Sequence, residues 1–440
     1  MKQHQIRLLF DSLLLGAVGA LSAQLFNWML HWCQYFLLSG IAGYRPPGLP
    51  DEGGALNQSL GPHGLWLVPL SLILGGLLSG MLVYFFAPET EGHGTDTAVK
   101  AFHQDKGFIR FRVPPIKMIA SAITIGSGGS AGREGPTALI TAGIGSTYAG
   151  LIHRTEAERR TLVLVGMAAG LSAMFRSPIG TALFAVEVLY SDMELEAPVL
   201  LFTMLASITA YSINGLFVSW QPLFRVPATF TFAATADYGW YLVLGLLSGA
   251  AASLLPWLFY ATRDLFLRFP IPLFLKPALG GFCTGVIALF LPEVMGGGYG
   301  WIQEAINGHF GAWLLAALFL GKAFAFCLTV SSGGSGGVFA PTLYLGAMLG
   351  GLLACLAHQP TAAFVVVGMA AVFGAAARVP IATLLMVMEM TGGFDLLVPA
   401  CFAVVVSVLV QVALTRSFRY QTLYQAQIPH RPAVGALAEG

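Results

Sequence analysis

GSGGSAGREGP, from Gly126 to Pro136, sets five glycines and two serines around one Arg133–Glu134 pair, with apolar sequence on both sides. Each glycine costs a helix roughly 1 kcal/mol relative to alanine. The stretch therefore breaks what its flanks would continue as lipid-embedded helix. Non-helical backbone survives at membrane depth only where protein buries it or where it lines a watery cavity. The stretch marks a site, and the site contains a carboxylate, Glu134.

Composition supports that setting. Of 440 residues, 56% are hydrophobic and only 10% charged, and the mean hydropathy is +0.75. Soluble domains carry roughly 25% charged residues. Apolar runs approaching the roughly 20 residues of a membrane helix recur along the chain, which reads as an all-α polytopic membrane protein whose first partner is the lipid bilayer. A net charge of +1 and the lack of any basic tract exclude nucleic acid as a partner. Cys33, Cys283, Cys327, Cys355 and Cys401 lie in apolar surroundings without a CxxC pair and read as small buried hydrophobes, so no metal site is expected. Ala20 to Ala23 resembles a signal-peptidase site, but the apolar pattern runs on to Leu38, too far for a leader; it reads as a retained first membrane helix.

Outward from the glycine stretch, the chain repeats itself. VGMAAGLSAMFRSPIGTALFAVEVLY from Val165 aligns with VGMAAVFGAAARVPIATLLMVMEMTG from Val367, pairing Arg176 with Arg378, Pro178 with Pro380 and Glu187 with Glu389. SGGSAGREGPT from Ser127 aligns without a gap with SGGSGGVFAPT from Ser332, and Lys117 matches Lys322. The division expected is a first repeat over 1–218, a connection over 219–237, a second repeat over 238–428 and a tail over 429–440. About seven apolar segments per copy is an odd number, which inserts the second copy upside down. Several are too short to span upright, so tilted and half-crossing helices are expected. Inverted repeats with glycine-interrupted helices in matching positions mark a transporter whose site lies between the repeats. A loop carrying Lys100, Lys106, Arg110, Arg112 and Lys117 is expected on the cytoplasmic side, which puts Tyr44–Pro62 outside and the N-terminus inside.

In both copies the glycine-rich loop runs into an apolar segment headed by proline, Pro136 in one and Pro341 in the other. Proline suits a helix start, where its missing N–H is no loss. Each loop thus delivers a helix N-terminus, with free N–H groups and roughly half a positive charge, into the membrane interior. Leaving a bare halide there would cost on the order of tens of kcal/mol, and two converging helix ends offset that cost without trapping the ion. The ligand implied is a small anion. Glu134 would plug such a site when deprotonated and vacate it when protonated. Its repeat counterpart is Phe339, so the gate is one-sided. An enzymatic alternative is a serine hydrolase, because Ser130 and Ser335 each sit in GxSxG; no histidine–acid partner accompanies either.

GREGP at 132–136 and GGVFAP at 336–341 resemble two signatures of the CLC family of chloride channels and proton-coupled chloride antiporters, and the resemblance to its prokaryotic members covers nearly the whole membrane chain. It implies a homodimer in the cell (inner) membrane with one anion pathway per subunit, no cofactor, and chloride as cargo. By position it makes Glu134 the gating glutamate and Val338 and Phe339 the backbone donors to a central anion. Tyr424 becomes a phenol donating to the same anion. Gly132, Arg133, Gly135, Pro136, Gly336, Gly337 and Pro341 shape the supporting loops. His93 and Gly94 stand in a departure from the first signature, with His93 where a serine usually faces the anion. Val188 stands where antiporters of the family usually carry an internal proton-accepting glutamate. Valine carries no proton, so passive or weakly coupled anion conduction is the leading expectation and stoichiometric proton/chloride antiport the alternative. Glu187 is expected to share a structural task with Glu389.

Overall fold

The computed structural model describes residues 3–49, 54–190, 195–226 and 237–424. Sixteen helices of eight residues or more stand among them. The first eight are α1 (Gln3–Cys33), α2 (Val68–Phe86), α3 (Thr95–His103), α4 (Val113–Gly126), α5 (Glu134–Leu151), α6 (Glu156–Phe175), α7 (Pro178–Glu187) and α8 (Ala197–Gly215). The second eight are α9 (Asp237–Arg268), α10 (Lys276–Phe290), α11 (Tyr299–Ile306), α12 (Ala312–Ser331), α13 (Phe339–Ala357), α14 (Thr361–Ala377), α15 (Pro380–Thr391) and α16 (Leu397–Thr415). Helices eight apart correspond. Packing follows the same rule, with α1 lying against α6 and α8 while α9 lies against α14 and α16. Among the described residues, eight helical spans are long and apolar enough to cross a membrane; α7 and α15 are apolar but shorter.

Equivalent sequence makes equivalent ends. Arg176 closes α6 and Arg378 closes α14, both in the left-handed conformation with φ of 56° and 55°. Gly94 (φ 93°) precedes α3 and Gly298 (φ 79°) precedes α11. Lys117 donates from α4 to Thr90 O at 3.0 Å and Gly92 O at 2.7 Å, and Lys322 donates from α12 to Val294 O at 2.8 Å and Gly296 O at 2.6 Å.

The halves are inverted. Glu91, His93 and Asp96 line a cavity of about 560 Å³ together with Phe108 and Arg110, in chain that follows α2. Their counterparts, Met295 to Trp301, line a second cavity of about 150 Å³ with Pro46 to Leu49, in chain that precedes α2. Since α2 is a 19-residue apolar crossing helix, matching loops open on opposite sides of the membrane.

Three sequence expectations need adjusting. The count of about seven apolar segments becomes eight helices per half, because α3 and α11 are short and polar enough (Thr95, Asp96 and Lys100 in α3) to leave no apolar run. Eight is even, so the inversion rests on the placement of the matching loops and not on an odd count. Lys117 is not a loop charge: it is fully buried in α4, where the two carbonyls bind its ammonium. The helices after the glycine loops begin at Glu134 and Phe339, two residues before their prolines, so Pro136 and Pro341 sit inside the first turn, where amides still lack helical partners. The connection expected at 219–237 falls partly, and the tail at 429–440 wholly, outside the described residues.

Candidate anion pathway

The two glycine-rich loops meet back to back. Gly132 N donates to Gly337 O at 2.7 Å and Gly337 N donates to Gly132 O at 2.6 Å, an antiparallel bridge between equivalent residues of the two halves. Gly336 N donates to Gly92 O at 3.1 Å, and Ser335 Oγ donates to Thr90 O at 2.9 Å. The loops around the bridge leave no room for side chains: a Cβ on Gly337 would stand 2.8 Å from Gly135 N and 3.0 Å from Gly132 O, and one on Gly135 would stand 2.1 Å from His93 O.

Glu134 is buried and its carboxylate reaches across the bridge into the other half. Oε2 accepts from Ala340 N at 3.4 Å, in the first turn of α13, and Oε1 is buried without a hydrogen-bond partner. The side chain of the first repeat thus occupies the N-terminal end of the second repeat's helix, where amide groups have no partner of their own. A negative charge is stabilised at that place whichever species brings it. Val338 and Phe339, at the head of α13, are buried with it.

Aromatic side chains wall the place off. Phe339 packs against Phe373 (ring centroids 4.3 Å) and Phe175 (4.6 Å); Phe373 lies 6.5 Å from Tyr424, and Tyr424 lies edge-on to His93 at 5.2 Å. Tyr424 is set by the backbone beside it, because Leu423 N donates to Ala376 O at 3.1 Å and Tyr260 Oη donates to Leu423 O at 2.8 Å. His93 is buried at the inner end of the larger cavity, with Nδ1 3.1 Å from Asp96 Oδ1. That is within ion-pair reach but off the line of a hydrogen bond, so Nδ1 is otherwise unpartnered.

The structure gathers Glu134, Val338, Phe339, Tyr424, His93 and Gly94 around the bridge. Arg133 faces the smaller cavity, donating to Asn27 Oδ1 at 3.0 Å with its guanidinium 4.7 Å from the Tyr299 ring centre. Val188 is buried in apolar core. Glu187 and Glu389 trade places across the halves: Glu187 accepts from Ile381 N (3.2 Å) and Ala382 N (2.7 Å) at the start of α15, and Glu389 accepts from Ile179 N (3.1 Å), Gly180 N (2.8 Å) and Ser177 Oγ (2.5 Å) at the start of α7. Sequence reasoning passed over Asp96 as a partner. Its signal was the His93–Asp96 spacing of three across a helix start.

A family model described as voltage gated chloride channel matches residues 75–412. The H(+)/Cl(-) exchange transporter ClcA of Salmonella arizonae is 34% identical over 368 residues, covering 79% of this chain and 76% of its own, and that of Citrobacter koseri is 33% identical over the same shares. Among solved structures, a slow cyanobacterial Cl-/H+ antiporter superposes with a TM-score of 0.79 at 23% identity, covering 93% of this chain and 94% of its own. A CLC-type fluoride/proton antiporter superposes with a TM-score of 0.80 at 22% identity, covering 93% and 96%.

Proposed function

The chain belongs to the voltage-gated chloride channel family, and within it we propose that the protein exchanges chloride for protons, with Glu134 both carrying the proton and closing the anion path. Membership makes it a transport protein rather than an enzyme, with chloride as cargo and no cofactor, and the hydrolase reading of Ser130 and Ser335 lapses. The observation that carries the exchange reading is the position of the Glu134 carboxylate on the N-terminal end of α13, which an anion and that carboxylate cannot share. A deprotonated Glu134 excludes chloride; a protonated one gives up its claim on the helix end, and the proton it holds has then been taken from one side. His93, Gly94, Val338, Phe339 and Tyr424 surround the anion in this reading, and Gly132, Arg133, Gly135, Pro136, Gly336, Gly337 and Pro341 hold the loops in shape.

Val188 favours channel-like conduction, but the exchangers identical to this chain at a third of the aligned positions weigh more than one position. The test is a proteoliposome experiment recording chloride and proton movement together. A chloride gradient should drive protons uphill in fixed proportion; chloride flow with no uphill proton movement would return the protein to the channel-like reading.

Sidedness follows the remaining loop charges. Lys106, Arg110 and Arg112 adjoin the end of α5, and His153, Arg154, Arg159 and Arg160 follow close behind it. This concentration of positive residues supports a cytoplasmic position for that side and for the N-terminus. On a cysteine-free background, Lys106→Cys should resist a membrane-impermeant maleimide applied to intact cells, and Gln58→Cys should react with it. The reverse pattern would invert the topology.

A further inference from the structure

We propose that the buried His93–Asp96 pair is the inner proton-loading site of this transporter, passing protons from the larger vestibule to Glu134; the assignment rests on the exchange reading above.

A proton moving from the vestibule to Glu134 must cross the buried interior, and Val188 offers no titratable group to receive it. The other buried candidates are already committed. Both Glu187 oxygens serve the start of α15. The Lys117 ammonium is held by Thr90 O and Gly92 O, and Lys322 is held the same way in the other half, so this lysine is shared scaffold.

Comparison of the halves separates scaffold from function. Glycines at the helix starts, buried lysines, left-handed arginines and reciprocal glutamates all occur twice. Aligned through Gly94 and Gly298, His93 corresponds to Gly297 and Asp96 to Gly300, as Glu134 corresponds to Phe339. The ionisable members of the pathway occur once. His93 and Asp96 are thus lopsided in the same way as the gate, and a purely structural pair would have no reason to be.

Geometry places the pair between the two things it must connect. His93 and Asp96 are 3% and 5% exposed, yet both line the 560 Å³ vestibule. On its other side His93 meets the Tyr424 ring, and its carbonyl abuts Gly135, the residue after Glu134. The charges facing the pair are Lys117 from α4, Arg263 from α9 and Glu91 from the preceding loop, with the Tyr424 and Tyr260 phenols beside them. Asp96 is the carboxylate nearest the ring, 3.1 Å from Nδ1, and stands ready to balance an imidazolium formed there. A hydronium in the vestibule gives its proton to an imidazole nitrogen and is left as water. The imidazolium, balanced by Asp96, then loses a proton through the central site to the Glu134 carboxylate, which becomes the neutral acid and leaves α13 free for chloride.

The test measures protons moved per chloride in proteoliposomes for the wild type, Asp96→Asn, His93→Gln and, as a control for general vestibule charge, Asp105→Asn. Asp96→Asn and His93→Gln should each lower the ratio by about tenfold or more, within reach of what one positioned proton-transfer group contributes, and should flatten the dependence of proton flux on inner pH. Asp105→Asn should keep the wild-type ratio. If Asp96→Asn fails to fold, His93→Gln alone decides. A coupled wild type with coupled pair variants overturns this assignment and spares the exchange reading, whereas an uncoupled wild type overturns both.

Discussion

Replacing Glu134 with alanine should leave chloride efflux running at external pH values that slow the wild type, and should cut uphill proton movement by at least about a hundredfold, the lower end of what a positioned proton-transfer group supplies. The direction follows from where the carboxylate sits. In the folded protein Oε2 rests against the first turn of α13. Raising the external pH favours the charged form, which the helix end retains, so wild-type chloride flux should fall; lowering it should release the side chain and restore flux. Alanine leaves nothing to titrate and nothing to plug the end of the helix, so the pH dependence and the coupling should vanish together. Glu134→Gln should resemble the alanine variant, because the amide mimics the protonated acid permanently. A variant that kept wild-type pH dependence would move the gate to another residue.

That position was only half legible in the sequence. The glycine count showed that Gly126–Pro136 could not continue a helix, and the repeat showed that its glycines are shared while its carboxylate is not. Neither observation says whose helix the carboxylate meets. Glu134 begins α5 but reaches α13, and the antiparallel bridge of Gly132 with Gly337 that brings those helices together is a contact between residues two hundred positions apart. Hydropathy located the long spans and missed α3 and α11, because a short helix that lines a cavity has no need of an apolar run. Lys117 read as a loop charge for the complementary reason: a side-chain charge says nothing of the carbonyls that meet it. Tyr424 was visible through family resemblance alone, since its position depends on Leu423 being held between Ala376 and Tyr260.

Glu187 separates scaffold from proton path most sharply, because it lies next to the position where a proton acceptor would be sought. Its carboxylate is fully buried and bound to two backbone amides at the start of α15. Alanine there would strand both N–H groups, each costing about 1–3 kcal/mol once buried without an acceptor, and would remove a negative charge from a helix N-terminus. Glu187→Ala should therefore lower the thermal midpoint in detergent by several degrees. Glu389→Ala strands the matching donors of α7, but the glutamate is only half-buried and water can replace part of it, so its loss should be smaller. Glu187→Gln keeps one carbonyl oxygen for the shorter of the two bonds and should fold nearly as well as the wild type. The glutamine variant is the decisive one: it cannot carry a proton, yet it should move as many protons per chloride as the wild type. A collapse of that ratio at normal stability would show that Glu187, and not the His93–Asp96 pair, loads the proton.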